Sequence, residues 1–165
     1  MDDYSRYEKR FQVFDRYTGE MIIDKTTVGR PMPNGTDYSI MYRLTQYLLA
    51  TSKMFKFSDV RTYNFLSSRA DYECKFSASK GAIAEEIGLS RQQVNDSLKF
   101  LCGTDLIREQ RLHGQQTFYL NPCWQTRGKN RGQLIDIYDS IPLTVPLNHD
   151  FQEQYDIILQ NYRKY

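Results

Sequence analysis

The hydrophobic positions change their period several times along this chain, and each change marks an element. From Phe11 to Ile23, β-forming residues flank Tyr17-Thr18-Gly19-Glu20, which predicts a short hairpin with Gly19 in the turn. Val28 to Gly35 then places two prolines and two glycines in eight residues, which predicts a loop. Thr36 or Asp37 caps the helix expected next. Its apolar positions Ile40, Leu44, Tyr47, Leu48 and Met54 or Phe55 keep helical spacing. Met41 and Leu49 widen that stripe, so burial is expected on more than one side, by the domain or by a second copy of the chain.

A second helix is expected from Asp59 to about Ser68 behind a Ser58 cap, and Cys74-Lys75-Phe76 reads as a short extended piece. Ser79 caps a helix through Ile87, with Ile83, Ala84 and Ile87 inward and Gly88 as the left-handed residue that ends it. Ser90 caps the next helix, Arg91 to about Leu101. Leu106 to Leu112 and Gln116 to Leu120 read as two strands joined at His113-Gly114, and Asn121-Pro122 ends the unit. The tail predicts a strand from Leu134 to Tyr138, a loop from Pro142 to Pro146 and a helix from about Asp150. Three segments follow: an N-terminal hairpin and loop over 1–35, a helical unit with a hairpin over 36–122, and an acidic extension over 123–165.

Composition narrows the class. The chain has 165 residues, enough for one compact domain with appendages, and its 40% hydrophobic content supplies one core. It has no run of about 18 apolar residues, so no membrane span is expected, and no signal peptide is legible behind Met1-Asp2-Asp3. Cys74, Cys102 and Cys123 are far apart and form no Cys-x-x-Cys, which predicts reduced thiols and a cytoplasmic protein without metal or cofactor. The net charge of +2 is small, but its distribution is uneven: residues 77–131 hold eight Lys/Arg against five Asp/Glu, and residues 132–165 hold two against five. A basic middle beside an acidic tail suits nucleic acid.

The stretch from Ala82 to Leu101 carries the functional expectation. Ala84 is small where two helices cross, Gly88 turns, Leu89 plugs the corner, and Val94, Leu98 and Leu101 share one face of the second helix. Gln92, Asn95, Asp96 and Lys99 are left outside, with Ser90, Arg91 and Gln93 at the helix start. In a helix-turn-helix, that start meets base edges in the major groove, where Arg, Gln and Asn pair bidentately with purines. A helix N-terminus also favours phosphate oxygens. The bland alternative is a pair of amphipathic helices with a glycine turn, but the polar face is rich in amides and a hairpin follows at the distance of a wing. In that hairpin Gly114 supplies the positive φ of a two-residue turn, and Arg108, Arg111, His113 and Gln115 are expected to reach the sugar-phosphate backbone. Arg127, Lys129 and Arg131 read equally as further phosphate contacts or as a solvated loop.

The order of elements resembles the plasmid replication proteins of the RepL family. The resemblance is carried by the Thr18-Gly19-Glu20 hairpin, a long helix, a winged unit ending Leu120-Asn121-Pro122, and an acidic tail. The Ile83-Ala84 to Leu101 stretch is also similar to MarR-like winged regulators. The first likeness implies an initiator that recognises a plasmid origin through Arg91 to Lys99 and recruits host replication proteins. Enzymatic alternatives fare worse. A nicking initiator needs paired metal-binding histidines, and His113 and His149 stand 36 apart; no Gly-x-x-x-x-Gly-Lys-Ser/Thr exists for nucleotide binding. The expectation is therefore a non-enzymatic, mainly α protein with a small antiparallel β wing, a winged helix-turn-helix that binds double-stranded DNA. The alternatives are a winged transcriptional regulator, often dimeric on a palindrome, and a winged module that binds protein.

Overall fold

A computed structural model describes residues 8–14, 21–28, 40–126 and 131–162. The chain divides into two units, Met1–Tyr38 and Ser39–Tyr165. In the first, strand β1 (Glu8–Phe14) pairs antiparallel with β2 (Met21–Val28), from Glu8 opposite Val28 to Phe14 opposite Met21, with a register shift between Val13 and Phe14. The hairpin expected near Phe11 to Ile23 is therefore present and longer than its apolar pattern suggests. Its turn at Thr18-Gly19-Glu20, the loop and the caps at Thr36 or Asp37 lie outside the described residues.

The second unit combines six helices with a three-stranded antiparallel sheet among its described residues. Its helices are α1 (Arg43–Thr51), α2 (Phe57–Arg69), α3 (Lys80–Ile87), α4 (Arg91–Gly103), α5 (Arg131–Ser140) and α6 (His149–Tyr162). Two short strands, β3 (Ile40–Met41) and β7 (Gln125–Thr126), pair with each other. The larger sheet has the order β4 (Lys75–Ser77), β6 (Gln115–Leu120), β5 (Ile107–Leu112). Strand β4 precedes the helix pair α3–α4, and β6 returns to lie between β4 and β5.

Three boundaries depart from the sequence pattern. Ile40 and Met41 are strand, and α1 stops at Thr51, so Met54 and Phe55 lie beyond it. Helix α2 begins one residue before the expected Ser58 cap, because the Asp59 carboxylate accepts the Lys56 N–H at 2.8 Å and closes the first turn itself. Leu134 to Tyr138 is helix, not strand. Leu134, Tyr138 and Ile141 are buried at spacings of four and three, a helical stripe that a short β-like apolar run conceals.

Tyr63, Leu66, Ile83, Ala84, Ile87, Val94, Leu98, Leu101, Leu106, Ile107, Phe118 and Leu120 form one buried core across α2, α3, α4 and the sheet. The apolar stripe of α1 is covered within the chain: Leu44 and Leu48 are buried, and α1 lies against α6. Phe55 meets Phe151 of α6 edge-on at 5.9 Å, and Trp124 meets Tyr155 at 5.2 Å. The stripe that suggested a second subunit thus has its cover in α6, and residues 131–162 belong to the same unit as α1–α4.

One core group is costly. Tyr63 is fully buried, and its hydroxyl has no hydrogen-bond partner among the described residues. Burial pushes that phenol well above its usual range. Tyr63→Phe keeps the ring and removes the unpaired hydroxyl, so it is expected to stabilise the fold by about 1 kcal/mol. Chemical denaturation checks this: a rightward midpoint with an unchanged slope is the expected result.

Candidate nucleic-acid interface

Helix α3 ends because Gly88 adopts φ +64°, and its N–H reaches the carbonyls of Ala84 and Glu85. Three residues later α4 starts from a reciprocal cap. Ser90 Oγ accepts the Gln93 N–H at 3.1 Å, and Gln93 Oε1 accepts the Ser90 N–H at 2.9 Å. The core face of α4 (Val94, Ser97, Leu98, Leu101) is buried as its spacing requires. Its opposite face carries Arg91, Gln92, Asp96 and Lys99, all exposed, with Asn95 half-buried.

The hairpin stands beside this face. His113 and Gly114 have φ +48° and +80°, the pair of positive values that a tight turn between twisted strands requires. A Cβ at Gly114 would meet nothing, so the demand for glycine there is purely conformational. Arg111, His113 and Gln115 are exposed at the tip.

Between α4 and the hairpin lies an open groove of about 1220 Å³, lined by Lys80, Arg91, Gln92, Asn95, Arg111 and Gln116, among others. Its floor is a polar chain that ties three elements together. Lys80 Nζ donates to Asn95 Oδ1 at 2.8 Å and stands 4.0 Å from Glu109 Oε2, which also accepts Gln116 Nε2 at 2.7 Å. On the helix surface, Gln92 Nε2 donates to Asp96 Oδ1 at 2.8 Å. That contact orients the exposed Gln92 amide through one of its N–H groups. The groove therefore presents two exposed guanidinium groups and hydrogen-bonded carboxamides, groups able to bond anions and to pair with donor–acceptor edges.

Of the residues expected at this site, Ser90, Arg91, Gln92, Gln93, Asn95, Asp96 and Lys99 lie on or at the start of α4, and Arg111, His113 and Gln115 lie at the hairpin end. Gln93 is partly committed to its cap, a use legible in the Ser90-x-x-Gln93 spacing itself. Lys80, Glu109 and Gln116 were not anticipated. Lys80 opens α3, where no apolar spacing signals a groove, and its partners come from α4 and from β5.

Arg108 corrects the sequence expectation. It is only 9% exposed and points away from the groove. Its Nε donates to Asp105 Oδ1 at 3.0 Å, and its Nη1 donates to the carbonyls of Tyr138 and Ile141 at 3.0 and 2.9 Å. The guanidinium also lies over the Tyr138 ring, 4.4 Å from its centroid. The reason lies in the pairing: Arg108 is opposite Tyr119, on the sheet face that α5 and Ile141 cover. The expectation that Arg108 reaches the sugar-phosphate backbone fails because that face is covered. Arg131 is likewise engaged, donating to the Pro122 carbonyl at 3.3 Å, with its guanidinium 5.2 Å from the Tyr42 ring. Arg127 and Lys129 lie outside the described residues.

Among the described residues, no cluster of three His, Cys, Asp or Glu side chains comes together, and no helix is long and apolar enough to cross a membrane. Burial pushes the Cys102 thiol up to about 12, so it stays protonated at neutral pH. No protein-family model, curated protein or solved structure matches this chain.

Proposed function

We propose that this chain is a winged helix-turn-helix protein that binds double-stranded DNA sequence-specifically, without catalysis. In this reading α4 enters the major groove and the β5–β6 hairpin is the wing on the adjacent backbone. The observation that carries it is the single groove into which Arg91, Gln92 and Asn95 of α4 and Arg111 of the hairpin converge. The strand order β4-β6-β5, with the helix pair inserted between β4 and β5, supports the same reading. Apolar residues hold the far side of α4 in the core, so its polar side is rigidly offered.

The biological role we propose is recognition of a plasmid replication origin. It rests on the resemblance of the sequence to RepL-family initiators, whereas the groove supports the DNA contact itself.

Lys80, Arg91, Lys99 and Arg111 supply up to four phosphate contacts. Binding to a duplex of about 20 base pairs should weaken steeply with salt, with log K falling against log salt at a slope of about −3 to −4. A fluorescence titration from low to physiological salt measures it. A flat response would remove the phosphate contacts on which the function depends.

A further inference from the structure

The N-terminal end of α2 is built in a way the duplex contact does not use. Phe57, its first residue, is 75% exposed, the highest value for any large hydrophobic side chain among the described residues. Lys53, Lys56 and Arg61 lie within four residues of it along the chain and are all exposed. The one acid in that segment, Asp59, is buried, with its carboxylate bonded to the Lys56 N–H. Three exposed cations thus flank one exposed aromatic ring, and the one carboxylate among them is spent on the cap of α2. A polyanion with flat apolar faces would cover the ring and neutralise the cations together.

The geometry also points to where that polyanion comes from. The Arg61 guanidinium lies 5.7 Å from the centre of the Phe57 ring, which stays largely exposed. The same Arg61 lies 3.9 Å from the place a Cβ would take on Gly88, in the turn that leads into α4. The cation–aromatic patch is therefore continuous with the start of the helix assigned to the duplex.

We propose that Lys53, Lys56, Phe57 and Arg61 form a single-strand site, in which an unpaired base stacks on Phe57 while the cations hold the flanking phosphates. Stacking on an aromatic ring is tolerant of base identity, so the site takes single-stranded DNA without sequence preference. With α4 on duplex, the ligand class is a junction between paired and unpaired DNA. The inference rests on the duplex reading of α4 for the junction, and on Phe57 and its cations alone for the single strand.

Fluorescence anisotropy with labelled oligothymidine, a blunt duplex and a tailed duplex tests it. Wild-type protein should bind oligothymidine, and tighter still the tailed duplex. Phe57→Ala should weaken oligothymidine binding about tenfold and leave the blunt duplex unchanged, while Phe57→Trp restores the single-strand affinity. Gln92→Ala should do the reverse, losing duplex discrimination and keeping oligothymidine. The proposal is overturned if wild-type protein ignores oligothymidine, which would assign the patch to a protein partner. It is equally overturned if Phe57→Ala changes nothing, or if it weakens blunt duplex just as much. Single-strand binding that depends on Phe57 without any duplex binding would instead overturn the reading of α4.

Discussion

Arg108→Ala is expected to lower the stability of the second unit by about 3–5 kcal/mol, the scale for stripping one partner from a buried ion pair. The side chain holds several groups at once. Without it the Asp105 carboxylate keeps the Tyr138 hydroxyl at 3.0 Å but loses its cation, and the carbonyls of Tyr138 and Ile141 lose their donor. Those carbonyls lie at and just beyond the end of α5, where a guanidinium both bonds orphan acceptors and opposes the negative end of the dipole. Asp105 itself holds φ +55°, a conformation that L side chains adopt only under constraint, and its carbonyl is pinned by Asn121 Nδ2 at 2.8 Å. The variant should melt roughly 10–20 °C lower. Arg108→Lys keeps the charge but not the planar fork, and should recover only part of the loss. Duplex affinity measured below the melting range should be unchanged, because Arg108 faces α5. A melting shift of only a degree or two would mean that the clamp is exchangeable with water. A loss of DNA affinity at full stability would return Arg108 to the interface.

The second large effect is a contrast on α4. Gln92→Ala should cost roughly 1–3 kcal/mol at a single base position and relax preference there, the expected signature of a side chain that pairs with a base edge. Its amide is already oriented by Asp96, so little ordering remains to be done on binding. Lys99 lies two turns further along α4, exposed and without an ion-pair partner among the described residues. Lys99→Ala should weaken every sequence about equally and reduce the salt slope by about one. Binding-site selection with each variant separates the two. If Gln92→Ala keeps the wild-type preference, α4 is docked in another way.

The helix pair was legible because its signals are local. Ser79, Gly88 and Ser90 punctuate it, and Ile83, Ile87, Val94, Leu98 and Leu101 carry the periodicity. The hairpin was legible for the same reason, since Gly114 marks a turn that needs positive φ. What depends on distant partners was not. Arg108 looked like a solvent-facing strand residue until α5 covered that face of the sheet, some thirty residues later in the chain. Helix α5 was misread because Leu134 to Tyr138 is short, and its third buried position, Ile141, falls beyond the apolar run. The stripe of α1 was correctly apolar, yet nothing in its own spacing names α6 as its cover. The Lys80–Asn95 and Glu109–Gln116 contacts join residues from α3, α4 and both strands of the hairpin, and no linear spacing encodes them.

Hydrogen exchange with and without duplex DNA locates the contact itself rather than inferring it from affinity. Added protection is expected in two separated segments, Ser90 to Asp96 at the start of α4 and Arg111 to Gln116 at the hairpin end, with no change along α5 and α6. Protection confined to α5 and α6, or none anywhere under conditions where the protein and duplex co-migrate, would contradict the assignment of α4 and the hairpin to duplex DNA.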